Sequence, residues 1–405
     1  MKERIIFHVD VNSAFLSWEA VRRLREGDTL DLRTVPSAVG GDVKSRRGVI
    51  TARSIPAKAF GVLTGEPVAT ALRKCPDLIL VSSDFALYRA CSDAFMAVCR
   101  RYTDLVEPFS IDECFMDVTD RVKDRSPEEA VRLASELKDA IRTELGFTVN
   151  VGVSENKLLA KTASDFTKPD RVHTLFREEI PRKFWPLPAG DLLFVGKSSG
   201  AHLKTLGIRT IGELAGMPVS VLTAHFGAKS GGYMHRAANG IDDSPVETER
   251  EDAKSCGNST TLPYDLTTAE EAYPVLLSLS ESVCRRMRKG GVRAGQVTVT
   301  VKGSDFSTCS KQRKLDFTTS ASDVVYGEAK KLFDSLWDGK MPIRLLGVSC
   351  GHLSHGENEQ MTLFGNEERE KREKLDAMLD RIREKFGKNA VVRTKDLLKP
   401  GTDGE

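Results

Sequence analysis

The sequence has no CxxC pair among its cysteines and no histidine spacing that would complete a zinc site. A structural zinc domain is therefore excluded as the organising feature. No stretch approaches the roughly 18 apolar residues that a membrane span needs, so no membrane partner is expected. The opening "MKERIIFHVDVNS" carries too short an apolar run for a signal peptide, and Asp10 breaks it. Net charge is only +2, too little for a chain that coats nucleic acid along its whole surface. Internal repeats and low-complexity tracts are absent too. The eight cysteines, at 75, 91, 99, 114, 256, 284, 309 and 350, read as reduced and mostly buried thiols, and a cytoplasmic location is expected.

A chain of 405 residues predicts two to four structural units. Residues 4–10, "RIIFHVD", read as a buried strand ending in an acid. Ala14, Trp18, Val21 and Leu24 then recur at helical spacing, and Gly27 stops the helix. Residues 34–55 hold two short strand-like runs joined by a Gly-rich turn. The clearest helix covers 126–145, with Ser126 as N-cap, Pro127 at the first position and Glu129 completing a capping box. Its apolar face is Ala130, Ala134, Leu137, Ile141 and Leu145, and "FTVNVGV" (147–153) follows as a strand. The segment 4–10, a hairpin-like 104–118, this helix and this strand can build one sheet with helices on one face. Short helices with Gly and Pro fill 185–244. A second unit, 254–354, runs strand, helix, strand, strand, helix, strand. A narrow stripe of Leu375, Met378, Leu379, Ile382 and Phe386 predicts an amphipathic helix over 367–386.

Within "EPFSIDECFMDV" (107–118), Asp112 and Glu113 are adjacent carboxylates in an otherwise apolar stretch. Neighbours in a flat strand point to opposite faces, so the two can share a site only where the hairpin turns or twists. Joined by Asp10, they would repel one another unless cations neutralised them. Magnesium or manganese, which prefer oxygen ligands, fit that need. Two such ions about 4 Å apart can hold the attacking and leaving oxygens of phosphoryl transfer.

"HVDVNSAF" near the start, "FSIDECFMDV" about one hundred residues on, and "VGVSENKLLAKTASDFTKP" after the capped helix resemble, in that order, the motifs of the Y-family translesion DNA polymerases, bacterial DNA polymerase IV branch. The resemblance covers residues 4 to about 365. It implies an α+β right-hand polymerase: a ferredoxin-like palm (1–10 and 78–168), fingers (11–77), a helical thumb (169–245), a linker (246–257), an α+β little finger (258–355) and a tail (356–405). It implies low-fidelity, template-directed addition of deoxynucleotides to a primer 3′-end, with bypass of damaged bases. Asp10, the Val11 backbone carbonyl, Asp112 and Glu113 match the ligands of two Mg2+ ions, with Mn2+ as an alternative. Phe15 matches the steric gate against a 2′-hydroxyl, and Lys168 a lysine that reaches the triphosphate. Ser110 is expected to support the hairpin.

The fingers depart from the family pattern. Ile55 and Lys58 stand where a tyrosine and an arginine are common, and lysine lacks the bidentate fork of arginine. Asn12 replaces a frequent aspartate. Arg53 or Arg47 could compensate for the weakened phosphate grip.

"LLFVGKSSGAHLKTLGIRTIGELAG" (192–216) resembles a helix-hairpin-helix, with Val195, Gly196 and Lys197 at a turn that binds a DNA phosphate without reading sequence. In the little finger, Arg285, Arg286, Arg288, Lys289, Arg293 and Lys302, together with Lys311 and Arg313 of "KQRK", are the expected DNA contacts. "QMTLF" (360–364) resembles the peptide that docks on the sliding clamp, with Gln360, Leu363 and Phe364 as anchors. Primer–template DNA, deoxynucleoside triphosphates and the clamp are the implied partners, and a monomer is expected. The alternative is a non-catalytic, clamp-tethered DNA-binding adaptor of the same fold. "VGGDV" (39–43) resembles the GGD of cyclic-dinucleotide synthases but lacks the following Glu-Phe pair, and reads as a Gly turn.

Overall fold

The computed structural model describes residues 4–41, 48–249, 252–355, 366–387 and 390–391. Arg47 and the peptide 360–364 lie outside the described residues. The chain divides into two compact units, the first ending before residue 251 and the second following it.

The first unit runs β1 (Ile6–Val11), α1 (Ala14–Arg25), β2 (Ser37–Gly40), β3 (Ile50–Arg53), α2 (Ile55–Ala59), α3 (Val68–Lys74), β4 (Ile79–Val81) and α4 (Phe85–Arg100). It continues with β5 (Val106–Pro108), β6 (Glu113–Asp117), α5 (Pro127–Leu145), β7 (Val149–Ser154), α6 (Lys157–Ser164) and β8 (Val172–Thr174). Three helices close it, α7 (Lys197–Thr205), α8 (Ile211–Ala215) and α9 (Val219–Ala238).

A five-stranded sheet in the order β5-β6-β1-β7-β8 forms its centre. β1 pairs antiparallel with β6 on one side and β7 on the other, so it is buried at every position but its acid. The pleat divides its side chains. Phe7, Val9 and Val11 join Met116, Val149, Val151 and Val153 in a core completed by Tyr88 and Phe95 of α4 and by Ala134, Leu137 and Ile141 of α5. Ile6, His8 and Asp10 take the other face, where Ile6 and Phe115 meet Ala160 of α6. Gly152 of β7 permits that approach, because a Cβ there would run into the Ala160 carbonyl. Ion pairs fasten α6 across the sheet, Lys157 to Glu107 and Lys161 to Glu113, each at 2.6 Å.

The cap on α5 is half of what the sequence suggests. Ser126 accepts from the Glu129 amide at 3.4 Å, Pro127 opens the helix, and Gly146 closes it at φ 82°. The reciprocal bond is not made, because the Glu129 carboxylate pairs with Arg132. The two strand-like runs of 34–55 form the antiparallel pair β2–β3, and β4 adds a parallel third strand to β2. Within 192–216 the expected order is found as α7, a turn at Gly207 (φ 80°) and α8, and a 3-10 turn at Ala189–Asp191 precedes them.

The second unit is β9 (Ser255–Leu266), α10 (Ala269–Lys289), β10 (Arg293–Gly303), β11 (Thr308–Thr319), α11 (Ser322–Leu336), β12 (Ile343–Ser354) and α12 (Asn366–Phe386). Its sheet has the order β11-β10-β12-β9. Val297, Val299 and Val301 face a core shared with Leu276 and Val283 of α10 and Ala329 and Phe333 of α11. The opposite face is open. Register places Gln296, Thr298, Thr300 and Lys302 of β10 beside Lys314, Gln312, Ser310 and Thr308 of β11. On the other side stand Gly351, Ser349, Gly347 and Leu345 of β12, followed by Ser255, Gly257, Ser259 and Thr261 of β9.

The stretch expected as a linker is anchored at its start and structured at its end. Val246 packs on Ile6, Phe115 and Ala160, the Glu247 amide donates to Glu107 at 2.7 Å, and β9 begins at Ser255. The expected amphipathic helix forms as α12, but its acids face the domain. Asp376 accepts from the Ser322 amide at 2.7 Å, which caps α11, and from Arg288 at 3.2 Å. Asp380 pairs with Arg288 and Glu373 with Arg293, both at 2.7 Å. Leu375, Met378 and Phe386 are exposed. Charge pairing at the inner face therefore outweighs burial of the narrow apolar stripe.

Candidate active site

Strand register brings Asp10 opposite Glu113 on β6 and opposite Asn150 on β7. Directly opposed residues share a face, so both acids sit on the α6 side of the sheet. Asp112 lies one residue before β6, in the turn, and its carbonyl accepts from the Val11 amide at 2.9 Å. The turn thus frees Asp112 from strand alternation. Ser110 steadies it, its hydroxyl donating to Asp112 Oδ1 at 2.7 Å.

Asp10, Val11 and Asp112 line one cavity of about 240 Å³ with Ser13, Ala14, Phe15, Thr51, Ala52, Arg53 and Thr64. Phe15 is fixed there by a parallel stack on Tyr88, with centroids 4.5 Å apart. A second cavity, of about 510 Å³, adjoins it through Asp10, Ser13 and Arg53 and is lined further by Ile55, Lys58 and Lys168. Ser54 seats this part of the fingers: it caps α2 by accepting from the Ala57 amide and donates to the Val35 carbonyl at 2.7 Å. Ile55 and Lys58 are exposed on α2 as a result.

Glu113 is not in either cavity lining. Lys161 holds it at 2.6 Å, and His8 Nε2 lies 3.2 Å away. The His8 ring is wholly buried, with Nδ1 2.7 Å from the Ser164 hydroxyl, and burial drives it below its ordinary pKa. Burial alone would raise the Glu113 carboxyl, but the hydrogen bonds and charge of His8 and Lys161 bring it down to about 2. Asp10 behaves in the opposite way. Lys168 touches it at 2.7 Å, yet burial still pushes its carboxyl up. Glu113 is amply compensated, and Asp10 is short of positive charge.

Among the described residues no group of three His, Cys, Asp or Glu side chains is disposed to hold a metal ion. Of the three expected carboxylates, two share the cavity and the third is drawn to α6. The donors in the cavity are all oxygens, Asp10 and Asp112 beside the Val11 backbone, and Asp10 is under-neutralised. That set fits a magnesium or manganese ion.

Asn12 is 8% exposed and serves as a hub. It donates to Asn150 at 3.2 Å and accepts from the Thr148 hydroxyl and the Asp170 amide, each at 3.0 Å. A carboxylate could not make the first of these bonds. Lys161 and Lys157 escaped the sequence reading as site residues, although their spacing of four puts both on one face of α6.

At the hairpin turn before α7, Val195 is buried, Gly196 caps the helix and Lys197 begins it. Phe194 there is 72% exposed at φ 63°, a left-handed conformation that a bulky residue seldom adopts. In the second unit, Lys302 stands on the open sheet face, and Lys302 and Arg344 flank the exposed ring of Phe306 at 5.2 and 4.6 Å. Lys314, the last residue of the KQRK run, stands on the same face. Lys311 and Arg313 alternate to the helix side, and Arg313 pairs with Glu328 of α11 at 3.1 Å. Arg285 and Arg286 lie on α10, where Arg286 donates to the Gly257 carbonyl at 2.6 Å. Arg288 is 12% exposed and held by Asp376 and Asp380, so its charge is already used within the protein.

Three family models match the chain: the impB/mucB/samB family over 9–165, its C-terminal domain over 253–363, and the DNA polymerase-iota thumb domain over 190–242. DNA polymerase IV of Clostridium acetobutylicum is 44% identical over 391 residues, covering 96% of this chain and 98% of that protein. DNA polymerase IV 1 of Bacillus subtilis is 37% identical over 401 residues, covering 98% and 94%. A solved Y-family DNA polymerase chimera of Dbh and Dpo4 superposes with a TM-score of 0.75 at 25% identity, covering 86% of this chain and 98% of that one. The motif order, the palm-like sheet and near full-length similarity agree: the chain belongs to the Y-family (impB/mucB/samB) DNA polymerases, in the DNA polymerase IV branch.

Proposed function

We propose that this polymerase adds deoxynucleotides to a primer 3′-end under template direction, by two-metal phosphoryl transfer, with low fidelity and tolerance of damaged template bases. The shared cavity of Asp10, Asp112 and Phe15 carries the reading. Asp10, Asp112 and the Val11 carbonyl would hold the divalent ions, with Glu113 as the further carboxylate. Such ions, when bound, acidify the primer hydroxyl and offset phosphate charge.

The remaining work falls to the chain's own groups. The stacked Phe15 ring offers a flat floor to a deoxyribose and leaves no room for a 2′-hydroxyl. The start of α1, at Ser13 to Phe15, lines the same cavity, and free N–H groups at a helix start favour phosphate. Lys168 pairs with Asp10 in the free protein, and an arriving triphosphate gives its ammonium a competing anion. Lys58 lines the same phosphate end. A roomy pair of cavities without the usual aromatic hydroxyl at position 55 supports a loose grip and so low fidelity. For DNA, the Val195–Gly196–Lys197 turn, with Phe194 beside it, and the open sheet face with Lys302 are the surfaces we assign to the backbone of the duplex. The clamp is assigned to residues 360–364 from the sequence resemblance.

Primer extension with wild-type and Asp112→Ala protein tests the reading. Wild type should extend in magnesium, and the variant should lose at least about a thousandfold in rate while keeping DNA affinity. Intact DNA binding without extension by the wild type would make the protein the adaptor instead.

A further inference from the structure

Arg53 joins the two cavities of the site. The residues common to both linings are Asp10, Ser13 and Arg53, and Arg53 is the one cation among them. Its Nε is buried and has no hydrogen-bond partner. Its Nη1 reaches the Thr64 hydroxyl only at 3.4 Å, a weak contact that holds the guanidinium over the smaller cavity. The other arginine of the larger cavity is committed elsewhere: Arg33 forks onto Asp31 and donates to the Gly146 carbonyl. Lys58 supplies charge but no planar fork.

A buried guanidinium nitrogen without an acceptor is costly to keep unless a ligand satisfies it. The position settles what kind of ligand that is. A nucleotide whose sugar rests on Phe15, and whose phosphates run past Asp10 toward Lys168, must cross the seam where Arg53 stands. Phosphate oxygens match the guanidinium fork in charge and in geometry.

We infer that Arg53 grips the triphosphate of the incoming nucleotide, taking over the hold that Ile55 and Lys58 cannot give. Arg53 ends β3, just before the α2 cap, and lines the larger cavity together with Lys168. The inference rests on the polymerase reading above and adds to it the residue that recognises the phosphates.

Single-nucleotide insertion on a fixed primer–template in magnesium tests it with Arg53→Ala, Arg53→Lys and Thr64→Val beside wild type. Arg53→Ala should raise KM about tenfold or more, by a similar factor for each of the four deoxynucleoside triphosphates and with a smaller change in kcat. Arg53→Lys should recover part of that loss, and Thr64→Val should shift KM slightly in the same direction. Thermal melting of each variant near the wild-type value separates lost grip from lost fold. An unchanged KM in Arg53→Ala overturns the inference. So does a rise confined to one base, which would make Arg53 a base contact. A wild type that inserts nothing removes the polymerase reading itself, and the inference with it.

Discussion

At the scale of single residues, the site is a contrast between two carboxylates. Glu113 has a folded pKa of about 2 against an ordinary value of 4.5. A depressed carboxyl stabilises the fold fully above its unfolded pKa, and that contribution drains as pH falls through the folded one. Without added metal, the urea midpoint should therefore fall as pH drops from about 4.5 to about 2, and Lys161→Met should shrink that fall. A midpoint indifferent to the variant would show that the ion pair is not what depresses Glu113. Phe15 is the other decisive residue. Its stack on Tyr88 leaves it little freedom to yield to a ribose. Phe15→Ala should lower the preference for deoxynucleotides over ribonucleotides by about tenfold or more, read as the ratio of kcat/KM for matched pairs.

At the scale of elements, α12 changes the meaning of the basic stretch 285–302. The helix docks through acids, and Asp376 is 5% exposed between Arg288 and the start of α11. Asp376→Ala leaves Arg288 on Asp380 but strips the buried Ser322 amide of its acceptor, so it should cost about 1–3 kcal/mol in urea unfolding. Arg288→Ala should likewise lower stability while leaving the salt dependence of DNA binding unchanged. Lys302→Ala should do the reverse, holding stability and reducing the slope of log affinity against log salt by about 0.9. Equal effects of the two arginine and lysine variants on that slope would refute the division between a structural helix layer and a binding sheet face.

At the scale of the whole molecule, the net charge is only +2. A charge that small predicts weak general attraction to DNA, and the clamp peptide proposed at 360–364 would then matter most on long templates. Changing Leu363 and Phe364 together to Ala should leave single insertions on naked primer–template intact and abolish any gain in product length from added sliding clamp. A clamp effect that survives the double change would assign the tether to another segment.

Strands β1 and β7 and helix α5 were legible in the chain because they rest on local signals, alternation, caps and short-range spacing, whereas the motif order and the roles given to the carboxylates came from the family resemblance. Asp10 announces itself at the end of an apolar strand, and Ser126 with Pro127 announces α5. Four things needed three dimensions. Glu113 turns to Lys161 and His8, Lys314 rather than Lys311 shares the open face with Lys302, Arg288 is spent on α12, and Arg53 stands at the seam of two cavities. Each depends on which side chain a distant strand or helix brings into reach. Charge partners are chosen by distance in space, and spacing along the chain carries no record of contacts made across tens of residues.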